Sequence, residues 1–195
     1  MKKLSLNFLL VGILAIGLQS CFRSVSRVDP DKEIDISGSW NDVDSKMTAD
    51  AMVEQVLGDV WLRNHMMEKK EKPVVIVGFV KNKSHEHIDA ETFMKDIERA
   101  FVTSQKVRLV QGGEKREAVR GERADQQDNA SVSTMKKWGL EVGADYMMQG
   151  SINSIVDALD RKKVVYYQID LELTNIQTNE IVWIGDKKIK KMVKN

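Results

Sequence analysis

Two imidazoles one residue apart, His85 and His87, stand beside Glu86 and Asp89 in a polar run over residues 81–88. Imidazoles and carboxylates so spaced could hold zinc or nickel. A solvated polar loop is the plainer reading. The remaining histidine, His65, lies far away in a helical pattern and completes no ligand spacing. Serines are plentiful, yet none sits in a Gly-x-Ser-x-Gly elbow or in a Ser-x-x-Lys set with its partner motifs. Gly112-Gly113 lacks the Gly-x-x-x-x-Gly-Lys pattern of a phosphate loop and reads as a turn. Asp145, ahead of an apolar run, reads as a cap or turn acceptor rather than a general base. The expectation is a non-enzyme with no metal and no cofactor.

One thiol stands apart. Cys21 follows Lys2-Lys3 and an apolar stretch, Leu4 to Leu18, interrupted only by Ser5 and Asn7. That is the length of a signal-peptide h-region and short for a membrane span. The stretch ends in Leu18-Gln19-Ser20-Cys21, which resembles the bacterial lipobox: Leu three residues before the cysteine and a small residue just before it. Such a cysteine takes a diacylglyceryl group on its sulfur and becomes the new N-terminus. The alternatives are a buried free Cys, a plain secretory signal or an uncleaved anchor. No second cysteine exists to form an intrachain disulfide. Each buried methylene adds about 0.8 kcal/mol of membrane affinity, and two or three acyl chains hold firmly. Phe22 follows the cysteine, where an Asp would favour retention at the inner membrane. The expected location is the outer membrane, with the domain on its periplasmic side.

Removing residues 1–20 takes Lys2 and Lys3 with them, so 30 basic residues become 28 against 29 acidic ones. A net charge near −1 gives no electrostatic basis for nucleic-acid binding. Candidate partner-binding residues are few. Trp40, beside Gly38 and Ser39, precedes the first helix and would be an interface anchor if exposed. Arg116, Arg120 and Arg123 recur at three-to-four spacing and would form a basic helix face, either solvated or a docking surface. Trp61, Trp138 and Trp183 lie in core-like patterns.

The elements that must position these residues follow from periodicity. Residues 21–33 read as a tether, which thirteen extended residues stretch to at most about 45 Å. Residues 34–195 read as one globular domain. Ile34 to Ile36 could form an edge strand. A helix capped by Asp42, Asp44 or Ser45 is expected to run to Met67, with Met47, Ala51, Val56, Val60 and Met67 inward and Met52 and Trp61 beside them. Val74 to Val80 is a β-branched run suited to a central strand buried on both faces. Asp89 caps a helix to Ser104 with Phe93, Ile97, Ala100 and Phe101 inward, and residues 107–110 make a short strand. Residues 112–130 are an exposed helix or a mobile segment, and Ser131 to Val142 another helix. Residues 145–157, 163–175 and 181–191 form an antiparallel meander, with Tyr167, Ile169, Leu171 and Leu173 on its buried face. The fold class is α+β: a small mixed sheet with a C-terminal antiparallel meander and helices packed on its faces.

Three segments together carry a family resemblance: Pro73 to Phe79, Val142 to Ile152, and Tyr167 to Trp183, with Ala-Asp-Tyr before a strand and Leu-Thr-Asn-Ile-Gln-Thr-Asn-Glu-Ile-Val-Trp across a hairpin. The chain resembles the LpoB-type lipoproteins, activators of penicillin-binding proteins, over residues 34–193. Similar hairpins occur in the N-terminal domain of TolB and in the curli secretion lipoprotein CsgG. The resemblance implies an outer-membrane lipoprotein whose domain docks on a class A penicillin-binding protein and stimulates peptidoglycan synthesis. Enterobacterial members have a long proline-rich tether; here it is about a dozen residues. The competing reading is a structural or assembly lipoprotein, a TolB-like scaffold or a CsgG-like secretion component. A membrane pore is disfavoured because Asp170 and Glu172 would face lipid.

Overall fold

The computed structural model describes residues 25–30, 32–131, 133–134 and 141–194. Cys21 lies outside them, as do Met135, Trp138 and Leu140 of the helix expected over 131–142. The chain divides into two units, Met1–Glu33 and Ile34–Asn195. The described residues of the first unit carry no helix or strand. Among the described residues the hydrophobic core lies in the second, from Trp40 to Ile189, so a fragment beginning at residue 30 keeps all of these core residues.

The elements of this domain run α1 (Asp42–Gly58), α2 (Val60–Lys69), β1 (Val74–Lys83), α3 (Glu91–Ser104), β2 (Arg108–Val110), α4 (Gly113–Asn129), β3 (Tyr146–Leu159), β4 (Lys162–Asn175) and β5 (Ile181–Lys194). They build a mixed sheet in the order β2-β1-β3-β4-β5. β1 is parallel to both neighbours, and β3, β4 and β5 form the antiparallel meander. The α+β reading holds. Odd-numbered β4 residues from Val165 to Leu173 are buried and the even ones partly exposed, as their alternation requires. Val75, Met148, Ile152, Tyr167 and Leu171 pack under α1 and α3, whose Met52, Val56, Phe93, Ile97 and Phe101 fill the other half of the core.

The helical stripe differs from expectation. Asn41, not an acidic residue, is the N-cap of α1: its side chain accepts from the Asp44 N–H, and the Asp44 carboxylate accepts from the Asn41 N–H. The helix then breaks at Asp59, whose extended backbone (φ −78°, ψ 166°) ends α1 and whose side chain caps α2. The break resets the helical phase. Ser45, Thr48, Ala49, Met52 and Val56 face inward from α1, and Trp61, Leu62 and His65 from α2. Met47, Val60 and Met67, expected inside, are exposed. His65 Nδ1 meets the Tyr146 hydroxyl at 2.9 Å in this buried corner.

β1 is buried on both faces only from Val74 to Ile76, where Gly112 closes over the Ile76 side chain. Its register against β3 then slips between Val77 and Val80, and Phe79 emerges 68% exposed. The strand runs on to Lys83, into the run expected to be loop. The slip meets Gly150, where an added Cβ would lie 2.0 Å from the Asp170 carbonyl oxygen, so only glycine lets β3 and β4 approach there.

Candidate functional site

The two places where functional side chains gather are a latch at the start of α1 and a cleft along the edge of β1. The latch forms because residues 34–41 cross the ends of β4 and β5 before entering α1. Trp40 lies inside it. Its ring meets Tyr167 edge-on at 5.5 Å and Phe93 at 6.4 Å, and its indole N–H donates to Ser45 Oγ at 2.9 Å. Trp40 is therefore an intramolecular wedge and not the exposed anchor that its position beside Gly38 and Ser39 invited. Its main-chain N–H donates to Glu86 Oε2 at 2.9 Å. Burial pushes the Glu86 carboxyl up, but hydrogen bonds from the Trp40 N–H, the Tyr167 hydroxyl and Ser39, with His85 alongside, outweigh that and leave it below the usual carboxylate range. Burial, and then the same carboxylate, push the Tyr167 hydroxyl well above the ordinary phenol range.

Of the histidine pair, His85 is taken up in structural contacts. His85 stacks on Tyr167 with centroids 6.1 Å apart, its Nδ1 lies 2.7 Å from Ser154 Oγ, and its Nε2 faces Glu86 at 3.2 Å. Both ring nitrogens of His85 thus have partners, one on β3 and one in the loop that joins β1 to α3.

Deeper in the latch lies a buried ion pair. Lys191 Nζ reaches Asp44 Oδ2 at 2.7 Å, with side chains 9% and 4% exposed. The same ammonium donates to the Ser39 carbonyl at 3.0 Å and to Asp35 Oδ1 at 3.2 Å. One lysine therefore ties the α1 cap, the entering chain and β5 together.

The cleft arises because β2 is short. Its pairing with β1 ends at Ile76–Val110, and from Val77 to Lys83 that edge of β1 meets no further strand among the described residues. The chain leaves β2 through Gln111 and Gly112 and turns at Gly113, whose φ of +52° favours glycine, into α4. A cleft of about 690 Å³ remains between this turn, the free edge and α3. Val77, Val80, Ile88, Met94 and Leu109 make its apolar floor, and Glu91, Lys95, Glu98, Glu114 and Lys115 its rim. A strand edge offers unpaired N–H and C=O groups, and an apolar floor offers pockets for alternate side chains. Together they suit an extended peptide.

The three arginines do lie on one stretch of α4, a helix with no buried residue. Arg120 grips Glu141 with two bonds, Nε to Oε1 at 3.1 Å and Nη2 to Oε2 at 3.0 Å, and Arg123 Nη1 joins at 3.2 Å. The Arg120 hydrogen bonds hold the Glu141 carboxyl below its ordinary range. Arg116 Nε donates at 2.9 Å to the carbonyl of Gln111, a residue of the cleft wall. The basic face is thus used internally. Sequence reasoning missed the cleft altogether, and its one available signal was the brevity of the 107–110 run against the length of the β-branched run before it.

The family model described as peptidoglycan-synthase activator LpoB matches residues 44–189. The chain belongs to the LpoB family. The match takes in the cleft and, of the latch, Asp44, Ser45, Glu86 and Tyr167, but not residues 34–41 or Lys191. Similar solved structures include the LpoB C-terminal domain from Escherichia coli, with 21% identity, 75% of this chain and 98% of that chain covered, and a TM-score of 0.43. The NMR structure of E. coli LpoB covers 91% of this chain and 87% of its own at 18% identity and a TM-score of 0.39. Lipoprotein GNA1162 from Neisseria meningitidis covers 63% and 84% at 12% identity and a TM-score of 0.37. No curated protein matches the chain in sequence.

Proposed function

We propose that this member of the LpoB family is an outer-membrane lipoprotein, anchored through Cys21, that binds a class A penicillin-binding protein and stimulates it without chemistry of its own. The observation that carries the reading is the family match over residues 44–189. The signal-like N-terminus supports the anchor. A binding regulator can act only through its different affinity for two states of its partner, so its effect must saturate and require contact.

The cleft beside β1 is the docking surface, and its occupant is an extended segment of the synthase. Arg116, Arg120 and Arg123 serve it indirectly, by bracing the cleft wall and the chain that leads into β3. Trp40 has no part in docking.

The test is lipid II polymerisation by each class A synthase of the native host, with and without fragment 30–195. Saturable stimulation of one of them, lost in Phe79→Asp with an unchanged melting temperature, is the expected result. Phe79 lines the cleft and is exposed, so its loss leaves the core intact. Absence of both binding and stimulation with every synthase overturns the reading. The anchor is tested separately. Metabolic labelling with an alkynyl fatty acid should mark the wild type and not Cys21→Ala.

A further inference from the structure

The end of the sheet where β3 turns into β4 has the make-up of a membrane-contacting surface. By register, Ile155 lies opposite Tyr166, Asp157 opposite Val164, and Leu159 opposite Lys162. β5 adds Lys190 beside Tyr166 and Met192 beside Val164. Alternation puts Ile155, Leu159, Val164 and Met192 on one face of this tip, together with Tyr166, Lys162, Lys190 and, between Ile155 and Leu159, Asp157. Ile155 is 66% exposed, Leu159 75% and Met192 64%. Past the Val156–Val165 pair nothing in the hairpin is buried. These side chains contribute nothing to the core, and such a cluster on a projecting element marks an interaction surface.

The rim of the cluster is basic. Arg161, Lys162 and Lys190 border it and Lys163 stands on the opposite face of the same tip, and none is in an ion pair among the described residues; the acids here are Asp157, on the cluster's own face, and Asp160 in the turn. An aliphatic centre with a tyrosine and a cationic rim is the pattern of side chains that sit at a lipid–water boundary.

Position gives the second argument. The chain enters the domain at this same end. Gly38 packs so closely on Val193 that an added Cβ would lie 2.2 Å from Val193 Cγ2, and it also touches Val165. Asp35 is held by Lys191. Val165 is three strand residues from Lys162, about 10 Å. The thirteen residues from Cys21 to Glu33 reach at most about 45 Å. A protein anchored at Cys21 therefore has this end, and not the opposite one, leashed to the bilayer.

We infer that the β3–β4 hairpin tip rests on the surface of the anchoring membrane, with Ile155, Leu159 and Met192 at the acyl boundary and Arg161, Lys162, Lys163 and Lys190 on anionic headgroups. This rests on the anchored reading of Cys21, and its test separates the two. Fragment 30–195 contains no cysteine, so a single one can be placed at Leu159→Cys and labelled with an environment-sensitive dye. Thr178→Cys, in the turn at the far end of β4, is the control. The fragment is held by an N-terminal His-tag on nickel-chelating vesicles, which replaces the lipid whether or not cells attach one.

With about 30 mol % phosphatidylglycerol in the vesicles, the dye at 159 should shift to the blue and that at 178 should not. Four cations less two acids, at roughly fivefold each, should make untethered binding to these vesicles about twenty-five-fold stronger than to neutral phosphatidylcholine. Ile155→Asp with Leu159→Asp should abolish that binding and leave the melting temperature unchanged. Equal shifts at 159 and 178, no shift at either, or a shift at 159 without vesicles overturns the inference. The last of these would assign the tip to a second copy of the chain. Failure of fatty-acid labelling in cells would instead remove the anchor and leave the vesicle result standing.

Discussion

Lys191→Met is the sharpest test of how the domain holds its own entrance. The substitution keeps most of the aliphatic stem and removes the ammonium that lies 2.7 Å from Asp44 Oδ2. Three acceptors lose a donor at once: the Asp44 carboxylate, the Ser39 carbonyl and the Asp35 carboxylate. Asp35 is exposed and returns to water at little cost. Asp44 cannot, because its side chain is 4% exposed. Removing one partner of a buried pair costs about 3–5 kcal/mol, most of it the charge left behind. Asp44 keeps its bond from the Asn41 N–H at 2.9 Å, so the lower end, about 3 kcal/mol, is the expected loss. For a domain of this size that is a fall of roughly 6–12 °C in melting temperature.

The double variant decides whether the reasoning is right. Adding Asp44→Asn removes the stranded charge while its amide oxygen can still accept from Asn41, so Asp44→Asn/Lys191→Met should lie within about 1 kcal/mol of wild type. Urea unfolding of fragment 30–195, followed by tryptophan fluorescence, measures all four corners of the cycle. A loss under about 1 kcal/mol in Lys191→Met, or a double variant as unstable as the two single losses added, would refute the claim that a buried charge pair closes the latch.

Two other outcomes follow from the same packing. Ile76→Asp places a carboxylate where the strand is closed on both faces, and an unpaired buried charge costs several kcal/mol, a large part of a domain's stability; the fragment should lose its cooperative thermal transition. Glu86 titrates below the usual carboxylate range in the fold, so it binds its proton more readily when unfolded; its contribution to stability is full above the unfolded value near 4.5 and drains away as pH falls through the lower folded value. Glu86→Gln should flatten the stability profile on that acid side, and an unaltered acid slope in urea midpoints between about pH 5 and pH 3 would count against the latch.

The parts of the fold that were legible in the sequence are those where one periodicity dominates. The alternation around Tyr167 to Leu173 has a single structural solution, and so has the apolar spacing of Phe93, Ile97 and Phe101. What stayed hidden depends on partners distant in the chain. Lys187, Lys188, Lys190 and Lys191 look alike in sequence, yet only the register of β5 places Lys191 against Asp44. The helix break at Asp59 carries no proline, and Ser45 and Thr48 are polar, so the true inward stripe of α1 has no hydrophobic signature. Trp40 could be read outward or inward until Glu86 and Ser45 were seen to hold it. The arginine spacing on α4 was correctly seen, but its use depends on Glu141, 18 residues beyond Arg123 and inside a run read only as a further helix. The cleft is the hardest case: it is an absence of strand beside β1, and no residue announces it.

The hairpin tip and the cleft together determine how far from the membrane a partner is met. Along β3 the cleft residues pair near Met148 to Gly150, nine to eleven residues from Leu159, or about 30–37 Å. With the tip on the bilayer the cleft stands at most that far out, whatever the tether does. With the tip released, height is set by the tether, and its effective concentration near the membrane falls as about the −3/2 power of length. Inserting twenty Gly/Ser residues after Pro30 lengthens the thirteen-residue tether to thirty-three, a drop of about fourfold for a free domain. Energy transfer from a dye at Thr178→Cys to a lipid-borne acceptor reads the height directly, because residue 178 lies beyond the far end of β4, about 46 Å of strand from Lys162. In a wild-type fragment 22–195, which keeps the tether and is held by an N-terminal His-tag on anionic vesicles, the transfer should be small and indifferent to the insertion. In Ile155→Asp/Leu159→Asp it should be broader in distribution and should fall with the longer tether. Wild type responding to the insertion as strongly as the tip variant would show that the leash alone positions the domain.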